Sequence, residues 1–254
     1  MLSKEKIEKE LTKLGVKPPR IIYYDEIDST NTRAKEYARL TEEKECVVFI
    51  ADAQTGGRGR LGRSFVSNRG AGIYISILSF PDSYGFDGTR VTAESAVKLC
   101  SAIESLANCK IGIKWVNDLY LGGKKLAGIL VESETENNGK IAFQVVGMGI
   151  NVYKNAISDE ISDIATSIED NCDVTFSRAE LVAKIIYESL YSSADFIREY
   201  RERSIVTGKE VRVIKPLSEY DARVLGILDD YSLLVERGGK SERLFSGEIS
   251  LRFK

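Results

Sequence analysis

Four strand-like segments follow one another closely between residues 111 and 151. Gly122-Gly123 lies between the second and the third segment, and Asn138-Gly139 lies between the third and the fourth. Gly-Gly and Asn-Gly dipeptides adopt the positive φ angles that tight hairpin turns require. The sequence therefore predicts two β-hairpins in the middle of the chain.

Two patterns cover the rest of the chain. Up to about residue 204, segments with helical spacing of apolar residues alternate with strand-like segments. From Gly208 onward there are short strands with tight turns such as Gly238-Gly239, which is typical of a small β-barrel. The predicted fold class is α+β, a mixed β-sheet with flanking helices plus a small C-terminal β-barrel, with domains at 1–204 and 205–254. The predicted helices are 3–14, one that begins near 28–31, 88–107 and 177–200, and the predicted strands are 20–27, 46–53, 73–77, 111–116, 118–121, 124–135, 140–151, 211–214, 222–228, 233–237 and 243–245.

Composition excludes several classes of protein. The 254 residues include 36 basic and 38 acidic side chains, which gives a net charge of −2. The chain therefore lacks the overall excess of positive charge that is typical of DNA-binding proteins. The charged N-terminus lacks the apolar core of a signal peptide, and no stretch approaches the ~18 apolar residues of a membrane span. The chain has no histidine, which excludes Ser-His and Cys-His dyads and the common zinc sets. We expect a cytoplasmic protein with no membrane association and with its four cysteines reduced.

A glycine- and arginine-rich segment lies between two of the predicted strands. Residues 54–63 read QTGGRGRLGR, and no acidic residue occurs between Ala53 and Pro81, although arginines occupy positions 58, 60, 63 and 69. Glycines let backbone N–H groups approach an oxyanion closely, and guanidinium groups match phosphate or carboxylate oxygens in pairs. We name residues 54–72 the Gly/Arg loop and predict that it binds an anion.

Other interpretations fit this loop less well. An RGG-like nucleic-acid segment would be repetitive, whereas this segment occurs once and has a strand on each side. A purely solvated loop rarely carries four arginines without one balancing acid. The sequence contains no GxxxxGK[ST] motif, and the glycine spacing does not match a GxGxxG that opens a helix.

At this loop the chain resembles the biotin–protein ligase family, whose signature is close to GRGRxGR. Further motifs follow in the family's order, and together they cover about residues 28–151. The tail that ends in GEISL at 247–251 also resembles the family's small C-terminal barrel. The matching motifs are DSTN at 28–31, KWVND at 114–118, KKLAGILVE at 124–132 and GMGIN at 147–151.

The resemblance implies an ATP-dependent enzyme that forms biotinyl-5′-AMP and then passes biotin to a lysine of a biotin carboxyl carrier protein domain. It implies a class II synthetase-like catalytic domain, an SH3-like C-terminal barrel, Mg²⁺ bound with ATP, and a homodimer. The implied biotin-binding residues are Ser29, Thr30, Asn31, Gln54, Gly57, Arg58, Gly59, Arg60, Lys125 and Gly128. The implied ATP-binding residues are Arg60, Arg63, Phe65, Trp115, Asn117, Asp118 and Asn151, and the implied catalytic residues are Arg58, Arg60, Lys125 and Asp118.

Some matched residues also have a plain structural interpretation. Without the family, Thr30 is a helix cap, Lys125 a surface lysine beside a hairpin, and Trp115 a core residue. The chain also departs from the family pattern, since Phe65 stands where the family has tryptophan and Val116 where it has proline. The DSTN motif begins at residue 28, which leaves no room for an N-terminal helix-turn-helix domain, so we expect no direct DNA binding.

The chemistry requires that two repelling anions, a carboxylate and a triphosphate, be brought together, and cations at 58, 60 and 125 suit that task. Because there is no histidine, we expect Asp118 to orient or accept a proton from the incoming amine. Two rival functions remain open. One is a lipoate or octanoate ligase of related fold, which a biotin-against-lipoate assay separates. The other is a catalytically silent nucleotide- or RNA-binding module, which leaves Lys125 and the KWVND segment unexplained.

Overall fold

The computed structural model of the protein describes residues 1–245 and 250–253. Within these residues the chain forms five α-helices and twelve strands in two sheets. The helices are α1 Lys4–Lys13, α2 Thr30–Leu40, α3 Gly88–Glu104, α4 Arg178–Tyr191 and α5 Phe196–Glu202. The strands of the large sheet are β1 Arg20–Tyr24, β2 Val47–Ala51, β3 Gly72–Ser79, β4 Gly112–Lys114, β5 Asp118–Leu121, β6 Lys124–Thr135 and β7 Ile141–Asn151, and those of the small sheet are β8 Glu210–Lys215, β9 Ser218–Ile227, β10 Leu233–Arg237, β11 Lys240–Leu244 and β12 Ser250–Phe253.

The large sheet has the strand order β1-β2-β3-β7-β6-β5-β4. Strands β1 and β2 are parallel, because α2 carries the chain back between them, and all other neighbours are antiparallel. Both predicted hairpins are confirmed, with Gly123 at a φ of 81° and Gly139 at a φ of 84°. The sheet is therefore mixed, as the sequence predicts.

Both faces of the large sheet are covered. Successive side chains of a strand point to opposite faces, so β7 divides its residues between two cores. Val146, Met148 and Ile150 pack into the larger core with residues of α1, α3 and α4. Val145 packs into the smaller core, with Ala34 and other residues of α2, β2 and β3. Helix α2 is therefore the element that covers the second face.

The predicted helix 177–200 is wrong, because the chain forms two helices there. Helix α4 ends at Tyr191, and Ser192 has an extended backbone at φ −79° and ψ 145°. Asp195 then caps α5, and its side chain accepts a hydrogen bond from Arg198 N. Serine and aspartate side chains compete with helical backbone hydrogen bonds, which favours a break at such residues.

The small sheet is antiparallel, with the order β11-β10-β9-β8-β12. Strand β12 has no counterpart among the predicted strands, whereas the turn at Gly238-Gly239 is confirmed by positive φ angles at both residues. The motif residues at 247–249 lie outside the described residues. Apolar side chains of β8 and β9 belong to the same core as those of α3 and α4, so the two sheets share one hydrophobic interior. No helix in the described part of the chain is both long enough and apolar enough to cross a bilayer.

Candidate active site

A cavity opens on the face of the large sheet that carries α2. Val145, Gly147 and Gly149 project from the same face of β7, because they are two residues apart. Val145 packs under α2, whereas the two glycines contribute no side chain and leave room above the sheet for side chains from other elements and for the cavity. The resulting cavity has an empty volume of about 980 Å³, part of which is open to solvent.

The two glycines are needed because other side chains fill the space above them. A Cβ on Gly147 would lie 2.0 Å from Asn31 Oδ1, and one on Gly149 would lie 2.6 Å from the ring of Phe65. The Phe65 ring also meets Tyr74 edge-on, with 6.4 Å between the ring centroids. Phe65 therefore occupies a fixed place in the cavity wall.

The N-terminus of α2 forms one end of the cavity. Ser29 is the N-cap residue, and its hydroxyl accepts a hydrogen bond from Thr32 N. Both the backbone N–H and the hydroxyl of Thr30 donate to Gln54 Oε1, at 2.9 and 3.1 Å. Gln54 Nε2 in turn donates to Ser67 Oγ at 3.0 Å. The Gln54 amide thus joins the helix start to the Gly/Arg loop, and the structure brings together these predicted residues.

Ser76 supports this end of the cavity and was missed by the sequence analysis. It lies on β3 with no exposed surface, and its hydroxyl is 2.7 Å from Thr30 Oγ1 and 2.6 Å from Asn31 Oδ1. The available signal was a single polar residue inside the apolar run 73–78. A buried hydroxyl requires partners, so this serine pointed to a polar neighbour from another element.

The Gly/Arg loop folds back on itself beside the cavity. Gly59 N donates to Arg63 O at 2.7 Å, Phe65 N donates to Gly57 O at 2.9 Å, and a short 3₁₀ turn spans Arg60–Gly62. Leu61 within that turn has a φ of 57° and half of its surface is exposed. Gly57 packs against the backbone, because a Cβ there would lie 2.3 Å from Phe65 O. The loop is therefore held in a defined conformation by its own hydrogen bonds, with the apolar side chain of Leu61 exposed at its turn.

Basic side chains dominate the middle of the cavity. Arg60 Nη1 donates to Asn117 Oδ1 at 3.0 Å, and Asn117 Nδ2 donates to Ile129 O, which fixes the orientation of that amide. Lys125 Nζ forms an ion pair with Asp118 Oδ1 at 2.6 Å. Burial lowers the pKa of Arg60 from its ordinary value, although the nearby Asp118 opposes the shift. Among the residues that the structure describes, the lining includes five basic residues, Arg58, Arg60, Arg63, Lys114 and Lys125, and one carboxylate, that of Asp118.

The small sheet closes the far end of the cavity. Trp115 is 4% exposed, and its Nε1 donates to Tyr231 O at 2.9 Å. The Trp115–Val116 peptide bond is cis, and Tyr200 Oη donates to Val116 O at 3.0 Å. Leu251 of β12 also lines the cavity. The KWVND segment is therefore held between the two sheets.

Two of the site residues predicted from the sequence do not line the cavity. Gly57 packs against the backbone of its own loop at Phe65, and the buried Asn151 donates through its Nδ2 to Thr166 O at 3.1 Å. Gly128 lies under Lys125, whose Nζ would be 3.3 Å from a Cβ there. The predicted residues that do line it are Ser29, Thr30, Asn31, Gln54, Arg58, Gly59, Arg60, Arg63, Phe65, Trp115, Asn117, Asp118, Lys125 and Gly128.

Comparison with known sequences relates the chain to one family. The sequence model of the biotin/lipoate A/B protein ligase family matches residues 23–151. The chain is 30% identical over 251 residues to the bifunctional ligase/repressor BirA of Bacillus subtilis, covering 94% of this chain and 76% of that one. It is 28% identical over 235 residues to the biotin–[acetyl-CoA-carboxylase] ligase of Mycobacterium tuberculosis, covering 87% and 85% of the two chains.

Comparison with solved structures agrees with this. The biotin protein ligase from Aquifex aeolicus in complex with biotin and ATP matches with a TM-score of 0.78 at 26% identity, covering 92% of this chain and 99% of that one. A mutant of the same enzyme in complex with biotin matches with a TM-score of 0.77 at 27% identity, covering 92% and 99%. The chain therefore belongs to the biotin/lipoate A/B protein ligase family, and within it to the biotin–protein ligases.

Proposed function

We propose that this biotin–protein ligase forms biotinyl-5′-AMP from biotin and ATP in the cavity described above and then transfers biotin to a lysine of a biotin carboxyl carrier protein domain. The observation that carries the proposal is the division of the cavity into two chemically different ends. One end offers hydroxyls and amides from Ser29, Thr30 and Gln54, and the other gathers arginine and lysine side chains. A ligand with a polar, uncharged head and an anionic tail fits this arrangement.

The polar end suits the ureido ring of biotin. A cyclic urea has one carbonyl oxygen to accept hydrogen bonds and two N–H groups to donate them, so a complementary site needs both kinds of partner. The Thr30 hydroxyl, which donates to Gln54, offers an acceptor oxygen, and the Ser29 hydroxyl, which accepts from Thr32 N, has a hydrogen to donate. The dithiolane ring of lipoate offers no N–H group, so it would leave those polar atoms unpaired at a cost of roughly 1–3 kcal/mol each.

The cationic middle of the cavity suits activation of the carboxylate. In the first step a biotin carboxylate oxygen attacks the α-phosphorus of ATP, the bond to the β-phosphate oxygen breaks, and pyrophosphate leaves. Both reactants are anions, so their approach must be compensated by positive charge. Arg58, Arg60 and Lys125 supply that charge from two different elements, the Gly/Arg loop and β6.

In the second step the acceptor amine attacks the acyl carbon of biotinyl-AMP, and AMP leaves with its phosphate. The attacking amine must be neutral, although a free lysine has a pKa of about 10.4. Asp118 is the carboxylate among the described residues that line the cavity, and its Oδ1 is 2.6 Å from Lys125 Nζ. We assign Asp118 the task of orienting the acceptor amine and accepting its proton, while Lys125 turns from Asp118 toward the bound anions.

Mg²⁺ would enter with ATP. Among the described residues no group of three or more acidic or thiol side chains could hold a metal ion without help. Mg²⁺ is commonly held by one or two carboxylates together with substrate phosphates. In the cavity, the carboxylate of Asp118 and the amide oxygen of Asn117 would offer oxygen ligands to such an ion. When bound, the ion would neutralise phosphate charge.

Three further expectations accompany this function: a homodimer, a cytoplasmic location and two domains divided near residue 204. Sedimentation tests the first, cell fractionation the second and limited proteolysis the third.

The decisive experiment is ATP–pyrophosphate exchange with purified protein. We expect exchange to depend on biotin and to be absent with lipoate in its place. Lys125→Ala should reduce biotin-dependent exchange about 100- to 1,000-fold, because one positioned cation is lost from the reacting centre. Lys124→Ala is the matched control, since Lys124 lies outside the cavity and donates to Ser162 O. Lipoate-dependent exchange, or equal effects of the two substitutions, would refute the proposal.

A further inference from the structure

The opening of the cavity is formed by the Gly/Arg loop. Most of the described residues that line the cavity are buried or half-buried, from Thr30 at the polar end to Trp115 at the far end. Among the described lining residues, those with exposed side chains all belong to one stretch of the loop. They are Arg58, Leu61, Arg63 and Ser64, which we name the mouth surface. A macromolecule that delivers a side chain into the cavity therefore meets these four residues.

Leu61 is the member of the mouth surface that folding does not explain. Its φ of 57° lies in the left-handed region, where the Cβ of an L-residue crowds the following carbonyl oxygen. Its side chain is 51% exposed, and it belongs to neither of the two cores that the described residues form. Glycine or asparagine would suit this backbone better than leucine. A strained backbone that holds an apolar side chain in solvent beside a cavity indicates a contact made during function.

The remaining members of the mouth surface are polar, and two of them are arginines. Glu132 lines a neighbouring hollow together with Arg58 and Arg63, but its carboxylate is paired with Lys35 Nζ at 2.5 Å. Release of pyrophosphate removes most of the negative charge that the first step brings into the cavity. In the second step the arginine charge therefore acts on the acceptor, where it attracts acidic side chains and disfavours basic ones.

The two small substrates do not account for Leu61. In the proposed reaction the biotin head lies at Thr30 and Gln54, and the anions lie between the half-buried Arg60 and Lys125. The acceptor differs from them, because its lysine belongs to a folded protein whose surface cannot enter the cavity. That surface must rest against the opening while the long, flexible lysine side chain reaches the acyl carbon.

We propose that the acceptor domain docks on the mouth surface. Leu61 packs against an apolar side chain beside the target lysine, and Arg58 and Arg63 face acidic side chains around it. The inference rests on the proposed function, and it specifies the chemistry of the partner's surface. Leu61 is a docking residue for the second step and has no task in the first.

The substitution Leu61→Asn separates docking from a structural role. Asparagine tolerates the left-handed region, so the melting temperature should be unchanged or rise by roughly 2–4 °C. In ATP–pyrophosphate exchange, which needs no acceptor, the KM values for biotin and ATP should stay within about twofold. With a purified biotin carboxyl carrier domain as acceptor, the KM for that domain should rise roughly tenfold, because an apolar contact is lost from the docked complex.

Hydroxylamine is the matched acceptor, because it takes biotin from the adenylate without docking. Its nitrogen attacks the acyl carbon, the bond from that carbon to the AMP phosphate oxygen breaks, and the nitrogen loses a proton to solvent. At saturating biotin and ATP, Leu61→Asn should form the hydroxamate within about twofold of the original rate. Leu217→Asn is the control variant, since Leu217 is 99% exposed and does not line the cavity, and it should leave every one of these values within about twofold.

Ionic strength tests the charge of the partner. Raising the salt from ~50 to ~300 mM should raise the KM for the carrier domain several-fold and leave hydroxamate formation within about twofold. A KM for the carrier domain that does not respond to salt would overturn the assignment of an acidic partner.

Three results with Leu61→Asn would overturn the docking role. They are an unchanged KM for the carrier domain, an equal loss with hydroxylamine, and a raised KM for biotin, which would put Leu61 on the ligand instead. Failure of the original protein to show biotin-dependent exchange would refute the proposed function, which keeps the two failures distinct.

Discussion

A methyl group on Gly147 would collide with Asn31 at the floor of the cavity. The Cβ of Gly147→Ala would lie 2.0 Å from Asn31 Oδ1, 2.7 Å from its Cγ and 2.9 Å from its Nδ2. Ordinary contact begins near 3.4 Å, so the Asn31 side chain must move by more than 1 Å. It then loses the hydrogen bonds at 2.6 Å to Ser76 and at 2.9 Å to Glu132.

The cost of that movement follows from the two hydrogen bonds. A neutral hydrogen bond contributes about 1 kcal/mol and one to a charged group about 1.5–3 kcal/mol, so we expect the free energy of unfolding to fall by about 3 kcal/mol. For a chain of this size the melting temperature should fall by roughly 6–12 °C. Because Thr30 loses its support through Ser76, the KM for biotin should rise by at least about tenfold.

The assays are thermal denaturation and biotin-dependent ATP–pyrophosphate exchange. Gly226→Ala is the control, because Gly226 has no atom within 4 Å of the position of a Cβ and no positive φ, and its stability should change by less than about 0.5 kcal/mol. If Gly147→Ala melts within about 1–2 °C of the original protein and keeps its KM for biotin, the close approach of Asn31 is not what requires glycine here.

Three other predictions follow from the site. Arg60→Gly should release biotinyl-AMP and label bystander lysines, and loss of ligand binding without such labelling would contradict a retention role. Asp118→Asn should slow biotin transfer more than adenylate formation in single-turnover assays, whereas equal loss in both steps would count against the assigned role. Burial acts to raise the pKa of Glu132, but the hydrogen bonds from Lys35 and Asn31 outweigh it, and the pKa lies below its ordinary value of 4.5. The stabilisation by ionised Glu132 should therefore be complete well above pH 4.5 and be lost as the pH falls through the lowered pKa, so urea denaturation should show the difference between the original protein and Glu132→Gln shrinking in acid.

The parts of the fold that the sequence predicted are those set by local signals. The Gly122-Gly123 and Asn138-Gly139 turns specify hairpins without reference to the rest of the chain, and α2 begins within the segment 28–31 as predicted, although its cap is Ser29 and not Thr30. The break between α4 and α5 is also local, but it depends on whether serine and aspartate side chains cap a new helix or remain on the surface of a continuing one. Helical spacing of apolar residues does not decide between these outcomes.

The parts of the site that the sequence did not predict depend on strand register. Ser76 meets Asn31 because it lies opposite Gly147 in β3–β7 pairing, and Glu132 reaches Asn31 because β6 pairs with the other side of β7. A shift of one residue in either pairing would turn these side chains to the opposite face. Motif matching found the residues that surround the cavity, whereas the polar supports behind them required the three-dimensional arrangement.

The hydrogen bond between Trp115 and Tyr231 has a practical consequence for spectroscopy. Trp115 is the only tryptophan in the sequence, and it lies where the KWVND segment meets the small sheet. Its indole ring borders the cavity on one side and a backbone carbonyl of the other sheet on the other. Tryptophan emission therefore comes from one fluorophore at this junction, and we expect its wavelength to shift when a ligand enters the cavity or when the two sheets separate, without an added label.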